Sequence, residues 1–395
     1  MKAIGYIYEH MVRVFPDKPW VKAYSNIYGG GQTPSLPKVM DNFLVQGLYI
    51  FETKHESRRD QYEIGLIEQS MSLCNAFLGM YHSLVGIEQD NCLKRFQAAF
   101  HKPNDLRAID FELFCYLQLH CNNCSVEVKD GDNSGDNFDY LITDHKGLQV
   151  QLECKSFAYS KGLYVPGEDA ARLYNRILSL EHGLGGVPDN QLRIYTIELK
   201  KELPKGEESL NRLAEQIICT INDESYVGNE LFCVQCEIFN NVENIEESDR
   251  TLHFNSGAVG IEVGRVASLS KGGRGRFSLI LNSAVKESAL FREFETICKK
   301  SAKNQLPNDK RSSIAVEVKN PQVLEYLLGN PRFKNKVSNI FKQKHLTSLI
   351  LVTNTQGILA SDDSHFYATP KIEEFSNISS EFQGAFSLKS GCVAM

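Results

Sequence analysis

The sequence predicts an α/β chain, α+β overall. A helical N-terminal region precedes a central mixed sheet flanked by helices, and a second α/β unit closes the C-terminus. Three observations predict this. Apolar residues recur at helical spacing before residue 100. Three short β-like runs follow one helix between 104 and 157. Strand-like and helix-like patterns then alternate to residue 353. The expected division is 1–103, 104–245 and 246–395, the last boundary set by the polar, acidic, aperiodic stretch 240–250.

The first forty residues read as irregular, with Pro16, Pro19, Pro34 and Pro37 as breakers. Gly29-Gly30-Gly31-Gln32-Thr33 reads as a turn, because no Gly-Lys-Ser/Thr follows to make a phosphate loop. Over 56–82, Ile64, Ile67, Met71, Leu73, Phe77 and Met80 mark a helix. A second helix, 87–100, ends before Pro103. Asn104 or Asp105 caps a third, running to 120. Strands are expected at 125–129, 138–143 and 148–157. Asp130-Gly131-Asp132, Ser134-Gly135-Asp136 and His145-Lys146-Gly147 supply turn chemistry between them. Helix 168–180, strand 192–199, helix 207–221 and strand 230–239 complete the middle. The last third reads as strand 277–281, helix 287–302, strand 313–318, helix 321–343 and strand 346–353.

Composition bounds the function. At 395 residues, 42% hydrophobic and 23% charged, the chain can bury a core without staples, which excludes a disordered chain or a disulfide miniprotein. No stretch approaches the ~20 apolar residues of a spanning helix, so no membrane partner is expected. The first ten residues are too polar for a secretory signal, and the eleven cysteines are scattered. A reduced, cytoplasmic setting is the expectation. The net charge of -6 is uneven: 1–270 carries -13, 271–345 carries +10 and 346–395 carries -3. The basic stretch suggests a polyanion-facing surface; solvated helix faces would produce the same count.

The chemistry concentrates after the third helix. Side chains on a strand alternate faces. Leu148, Val150, Leu152 and Cys154 therefore share one face, and Gln151, Glu153 and Lys155 the other. Asp139 opens the preceding strand, fourteen residues upstream of Glu153. If the two strands pair, two acids and a lysine converge at one sheet edge. Mg²⁺ takes hard oxygen ligands, commonly one or two carboxylates. A metal lowers the pKa of bound water and stabilises charge on a phosphate. A neighbouring lysine orients or deprotonates the attacking water. Glu-x-Lys alone is weak, with roughly two copies expected by chance at ordinary composition. Glu127-Val128-Lys129, Glu198-Leu199-Lys200 and Glu317-Val318-Lys319 are further copies, and an exposed ion-paired face would read identically.

The order helix, strand, strand with Asp139, strand with Glu153-Cys154-Lys155, helix resembles the PD-(D/E)xK nuclease superfamily, the restriction-endonuclease-like fold, over about 104–240. Asn137-Phe138-Asp139 stands where that signature has Pro-Asp, which reduces specificity. The resemblance implies that Asp139 and Glu153 bind the divalent metal with help from the Cys154 carbonyl. It implies that Lys155 serves the nucleophilic water. Glu112, in Asp110-Phe111-Glu112-Leu113-Phe114, matches the extra first-helix acid of many such enzymes. The implied catalytic set is thus Asp139, Glu153, Lys155 and Glu112, with Mg²⁺ or Mn²⁺ as cofactor.

Other patterns are weaker. Cys121/Cys124 and Cys233/Cys236 are Cys-x-x-Cys pairs, read mainly as incidental thiols because the pairs lie far apart and Cys233 and Cys236 point to opposite strand faces. Lys271, Arg274 and Arg276 form a basic glycine loop, and Lys299, Lys300 and Lys303 a basic helix end; these six are the expected nucleic-acid contacts. The expected function is a metal-dependent nuclease acting on DNA before RNA, in bacterial defence or DNA processing, with room for a homodimer and for a separate motor or regulatory partner. The alternatives are a non-catalytic nucleic-acid-binding module on the same fold and a protein-interaction scaffold.

Overall fold

A computed structural model of the chain describes residues 2–28, 42–129, 138–144, 147–157, 161–180, 187–188, 190–222, 229–240, 261–269, 275–355, 358–359, 366–382, 384, 386–389 and 393–394. Gly29–Thr33, the turns at 130–136 and His145-Lys146, and the expected boundary stretch from 241 lie outside them. The chain is mixed α/β and divides into two compact units. One comprises the N-terminal helices, Val39–Tyr159 and Phe294–Met395; the other comprises Ser160–Glu293.

In the first unit, helices α1 (Lys2–Val14), α2 (Pro19–Tyr28), α3 (Phe43–Thr53), α4 (Gln61–Ser83) and α5 (Ile87–Ala99) precede α6 (Pro103–Cys121). Residues 2–28 are thus mostly helical rather than irregular. Ile4, Ile7, Met11 and Phe15 form one buried stripe at helical spacing. Pro19 stands at the first helical position, where its missing N–H costs nothing. Asp60 and Glu63 close a reciprocal cap at the start of α4. Helices α3 and α4 touch at Gly47, where an added Cβ would lie 2.4 Å from the Leu66 carbonyl oxygen.

A six-stranded sheet follows in the order β1-β2-β3-β8-β9-β12. Its first three strands, β1 (Ser125–Val128), β2 (Tyr140–Thr143) and β3 (Gln149–Phe157), pair antiparallel. Past the second unit's β4 to β7, the sheet continues with β8 (Ser312–Val318) and β9 (Leu346–Thr353), parallel to β3. The three-residue β11 (Phe366–Ala368) belongs, with β10 (Ile358–Leu359) and β13 (Val393–Ala394), to a small antiparallel sheet. The antiparallel β12 (Lys371–Ser376) closes the large one. One face of that sheet packs on α6 and the N-terminal helices, through Tyr140, Val150, Leu152 and Cys154 against Leu106, Phe111 and Cys115. The other face is covered by α9 (Glu287–Asn304) and α11 (Pro331–Ile340), through Phe157, Phe294 and Phe333. The single helix expected over 321–343 is two, α10 (Pro321–Gly329) and α11. Asn330 ends the first and caps the second with Pro331 at its first position.

The second unit is a four-stranded mixed sheet, β5-β4-β7-β6, built from β4 (Leu192–Leu199), β5 (Phe232–Phe239), β6 (Ile261–Leu269) and β7 (Arg276–Ser283). Helices α7 (Gly167–Ser179) and α8 (Glu207–Asn222) belong to it. The Tyr174 hydroxyl donates to Leu279 O at 2.8 Å and accepts from Leu281 N at 3.0 Å, which seats α7 on β7.

These units cut across the expected boundaries at 103 and 245. Residues 104–159 share their sheet with 312–376, and residue 245 falls inside the second unit's span. The cause is parallel pairing. A parallel partner needs a crossover, and this crossover has grown to hold a whole sheet between β3 and β8.

Candidate functional site

Helix α6 supplies Glu112, Asp139 immediately precedes β2, and β3 supplies Glu153, Cys154 and Lys155. Tyr140 pairs with Leu152, so one further step of the antiparallel register sets Asp139 beside Glu153. The strand pairing expected from the sequence is present. Asp139 is 8% exposed, and its Oδ2 accepts the Cys154 backbone N–H at 2.6 Å. Glu153 is fully buried and ion-paired with Lys155. Burial by itself pulls the Lys155 ammonium down; Glu153, with Asp139 and Cys154 behind it, outweighs that and holds the group above its ordinary value. The Gln151/Glu153 face is as buried as the apolar one, at 1% and 0%, because α9 and α11 cover it. Leu148, expected on the apolar face, is exposed at the strand's entry.

Glu112 sits on the α6 side of the sheet. Its two oxygens take Arg95 Nη2 at 3.0 and 2.8 Å, and its carbonyl accepts the Tyr140 hydroxyl at 2.9 Å. The partner Arg95, on α5, carried no recognisable signal in the sequence. The Cys154 thiol is buried against α6 and pushed well above its ordinary pKa by burial, so its carbonyl is the group left for a hard cation.

A second acid–lysine group has no distinguishing signal in the sequence. Glu317 and Lys319 on and just past β8 are one of the other Glu-x-Lys copies. Lys319 Nζ lies 2.9 Å from Glu317 Oε1 and 2.6 Å from Asp110 Oδ2 on α6. The Thr355 hydroxyl donates to Glu317 Oε1 and the Ser156 hydroxyl to Oε2, each at 2.7 Å. Burial, with Asp110 adding to it, holds the Glu317 carboxyl above its ordinary range: one lysine serves two carboxylates there.

Lys271 and Arg274 lie outside the described residues. Arg276 opens β7 in the second unit, while Lys299, Lys300 and Lys303 lie on the part of α9 that belongs to the first. Lys300 and Lys303 are exposed. Lys299 is bonded to Glu295 at 2.6 Å, and Glu295 also takes Lys336 of α11 at 2.7 Å. Phe157, on the face of Glu153 and Lys155, packs on Phe294 of α9. The lysine-bearing layer therefore covers the same sheet face as Glu153 and Lys155.

Among the described residues no group of three or more His, Cys, Asp or Glu converges to hold a metal ion, and no helix is long and apolar enough to cross a membrane. Mg²⁺ needs fewer protein ligands than that. The donor chemistry of Asp139, Glu153 and the Cys154 carbonyl fits such an ion, as two nearly dehydrated carboxylates beside a carbonyl. Compared with protein-family models, curated proteins and solved structures, the chain matches none.

Proposed function

We propose that the chain is a divalent-metal-dependent nuclease, hydrolysing phosphodiester bonds with DNA as the first substrate to try and RNA the second. The observation that carries the reading is the register of β2 on β3. It sets Asp139 next to Glu153, with Lys155 two residues on along the same face. Asp139, Glu153 and the Cys154 carbonyl would hold Mg²⁺ or Mn²⁺. When bound, the ion acidifies a water and offsets charge on the scissile phosphate. Lys155, 30% exposed, would face that phosphate. Lys300 and Lys303 would contact backbone phosphates and fix position without reading sequence. Glu112, the third acid of the expected set, lies on the α6 side of the sheet with both carboxylate oxygens on Arg95. A role in bacterial defence or DNA processing, a homodimer, and a motor or regulatory partner belong to the same proposal.

One observation favours a second reading, a non-catalytic nucleic-acid-binding module: Lys155 is already bonded to Glu153. Gel assays of the wild type beside Glu153→Ala and Lys155→Ala separate the two. Supercoiled DNA, linear duplex, single strands and RNA are each incubated with Mg²⁺, Mn²⁺ or EDTA. Metal-dependent cleavage that disappears in both variants supports the nuclease. Salt-sensitive gel shifts without cleavage, unchanged by either substitution, support the binding module.

A further inference from the structure

β3 is held unevenly. β2 pairs with it only as far as Leu152, whereas β8 pairs with it through Phe157. From Glu153 onward, then, the strand has ladder bonds to β8 on one edge and the Asp139 carboxylate on the other. After Tyr159 the chain passes to the second unit. At this end Ser156, the residue after Lys155, points to the opposite face and donates to Glu317. Glu317 is 1% exposed and holds Lys319, which in turn holds Asp110, two residues before Glu112 on α6. Four side chains thus join β3, β8 and α6 across sequence separations of 161 and 209 residues.

We infer that Ser156, Glu317, Lys319 and Asp110 are positioning residues for Lys155, fixing the end of β3 relative to α6. The inference rests on the nuclease reading of Lys155. Ion pairs this buried gain little stability against their desolvation, so packing strength alone is a weak reason for them. A fully bonded buried network does hold its members to one geometry, and a displacement of about 1 Å can cost a hundredfold in rate.

The test uses Ser156→Ala, which changes no charge, and Glu317→Gln, which keeps the side chain's shape but removes its charge and turns one of its two accepting oxygens into a donor. Three quantities are read on the full chain. They are the thermal midpoint, the position of the Lys155 side chain in crystal structures of wild type and each variant, and kcat against KM for Mg²⁺-dependent oligonucleotide cleavage. The expected result is a displaced Lys155 side chain in both variants, with kcat reduced about ten- to a hundredfold and KM unchanged. A lowered thermal midpoint with an undisplaced Lys155 and unmoved kcat overturns the proposal. If the wild type cleaves nothing, the nuclease reading has failed. The crystal structures then decide positioning by themselves: a displaced Lys155 upholds it, and an undisplaced one overturns it.

Discussion

Asp139 Oδ2 accepts the backbone N–H of Cys154 at 2.6 Å, where β2 has stopped pairing with β3. One carboxylate thereby ends a ladder and stands beside Glu153. Its two roles separate by substitution. Asp139→Ala leaves a buried N–H without this acceptor and should cost about 1–3 kcal/mol in urea unfolding. Asp139→Asn retains an acceptor and should recover most of that stability. Both should lose metal-dependent cleavage. Wild-type cleavage by Asp139→Asn would remove Asp139 from the metal set.

Lys155 neutralises a carboxylate with no exposed surface. Lys155→Ala strands Glu153 without that ion pair. Because Lys155 is itself 30% exposed, the loss should fall near the low end for a broken buried pair, about 3 kcal/mol. The double variant Glu153→Gln/Lys155→Met should be more stable than Lys155→Ala. Equal chemical-denaturation midpoints for the single and double variants would show that the pair is not coupled.

The basic layer has an internal order. Lys300 and Lys303 are exposed, while Lys299 is engaged by Glu295. For duplex DNA, the slope of log K against log salt should fall by about 0.9 for each phosphate that a variant no longer neutralises. Lys300→Ala and Lys303→Ala should each show that decrease in fluorescence anisotropy, and Lys299→Ala a smaller one. Three identical slopes, all equal to wild type, would place the nucleic acid elsewhere.

His345 gives a pH signature. It is 3% exposed, and its Nε2 lies 3.1 Å from Ala302 O. Burial holds the ring below its ordinary value of 6.5, outweighing the Ala302 carbonyl. The unfolded chain then takes up the proton first. The contribution is full above 6.5 and is lost as pH falls from there toward the folded value. Wild type should lose more stability than His345→Gln between about pH 7 and about pH 5. Parallel losses in urea midpoints would assign the acid sensitivity to other groups.

Periodicity made most elements legible, but the helix expected to be capped by Asn104 or Asp105 starts at Pro103 with Lys102 before it. The strand at 192–199 and the strand at 346–353 stand where alternation and apolar runs place them. Misreadings came from proline. Pro19 and Pro331 each begin a helix, and local composition does not distinguish a first helical position from a break. Asp139, Glu153 and Lys155 were legible as a set because strand alternation and one hairpin-like pairing are local rules.

The sequence by itself determined the helices and strands that carry the candidate acids, and the face each acid takes on its strand. Tertiary structure decided which strands share a sheet. β3 meets β8 after a crossover that holds a second sheet, and no period in the chain encodes a partner 161 residues away. It also decided ion-pair identity, Arg95 for Glu112 and Lys319 for Asp110. A charge in low dielectric is controlled by whichever opposite charge packing brings within a few ångströms, and that distance is a property of the assembled core.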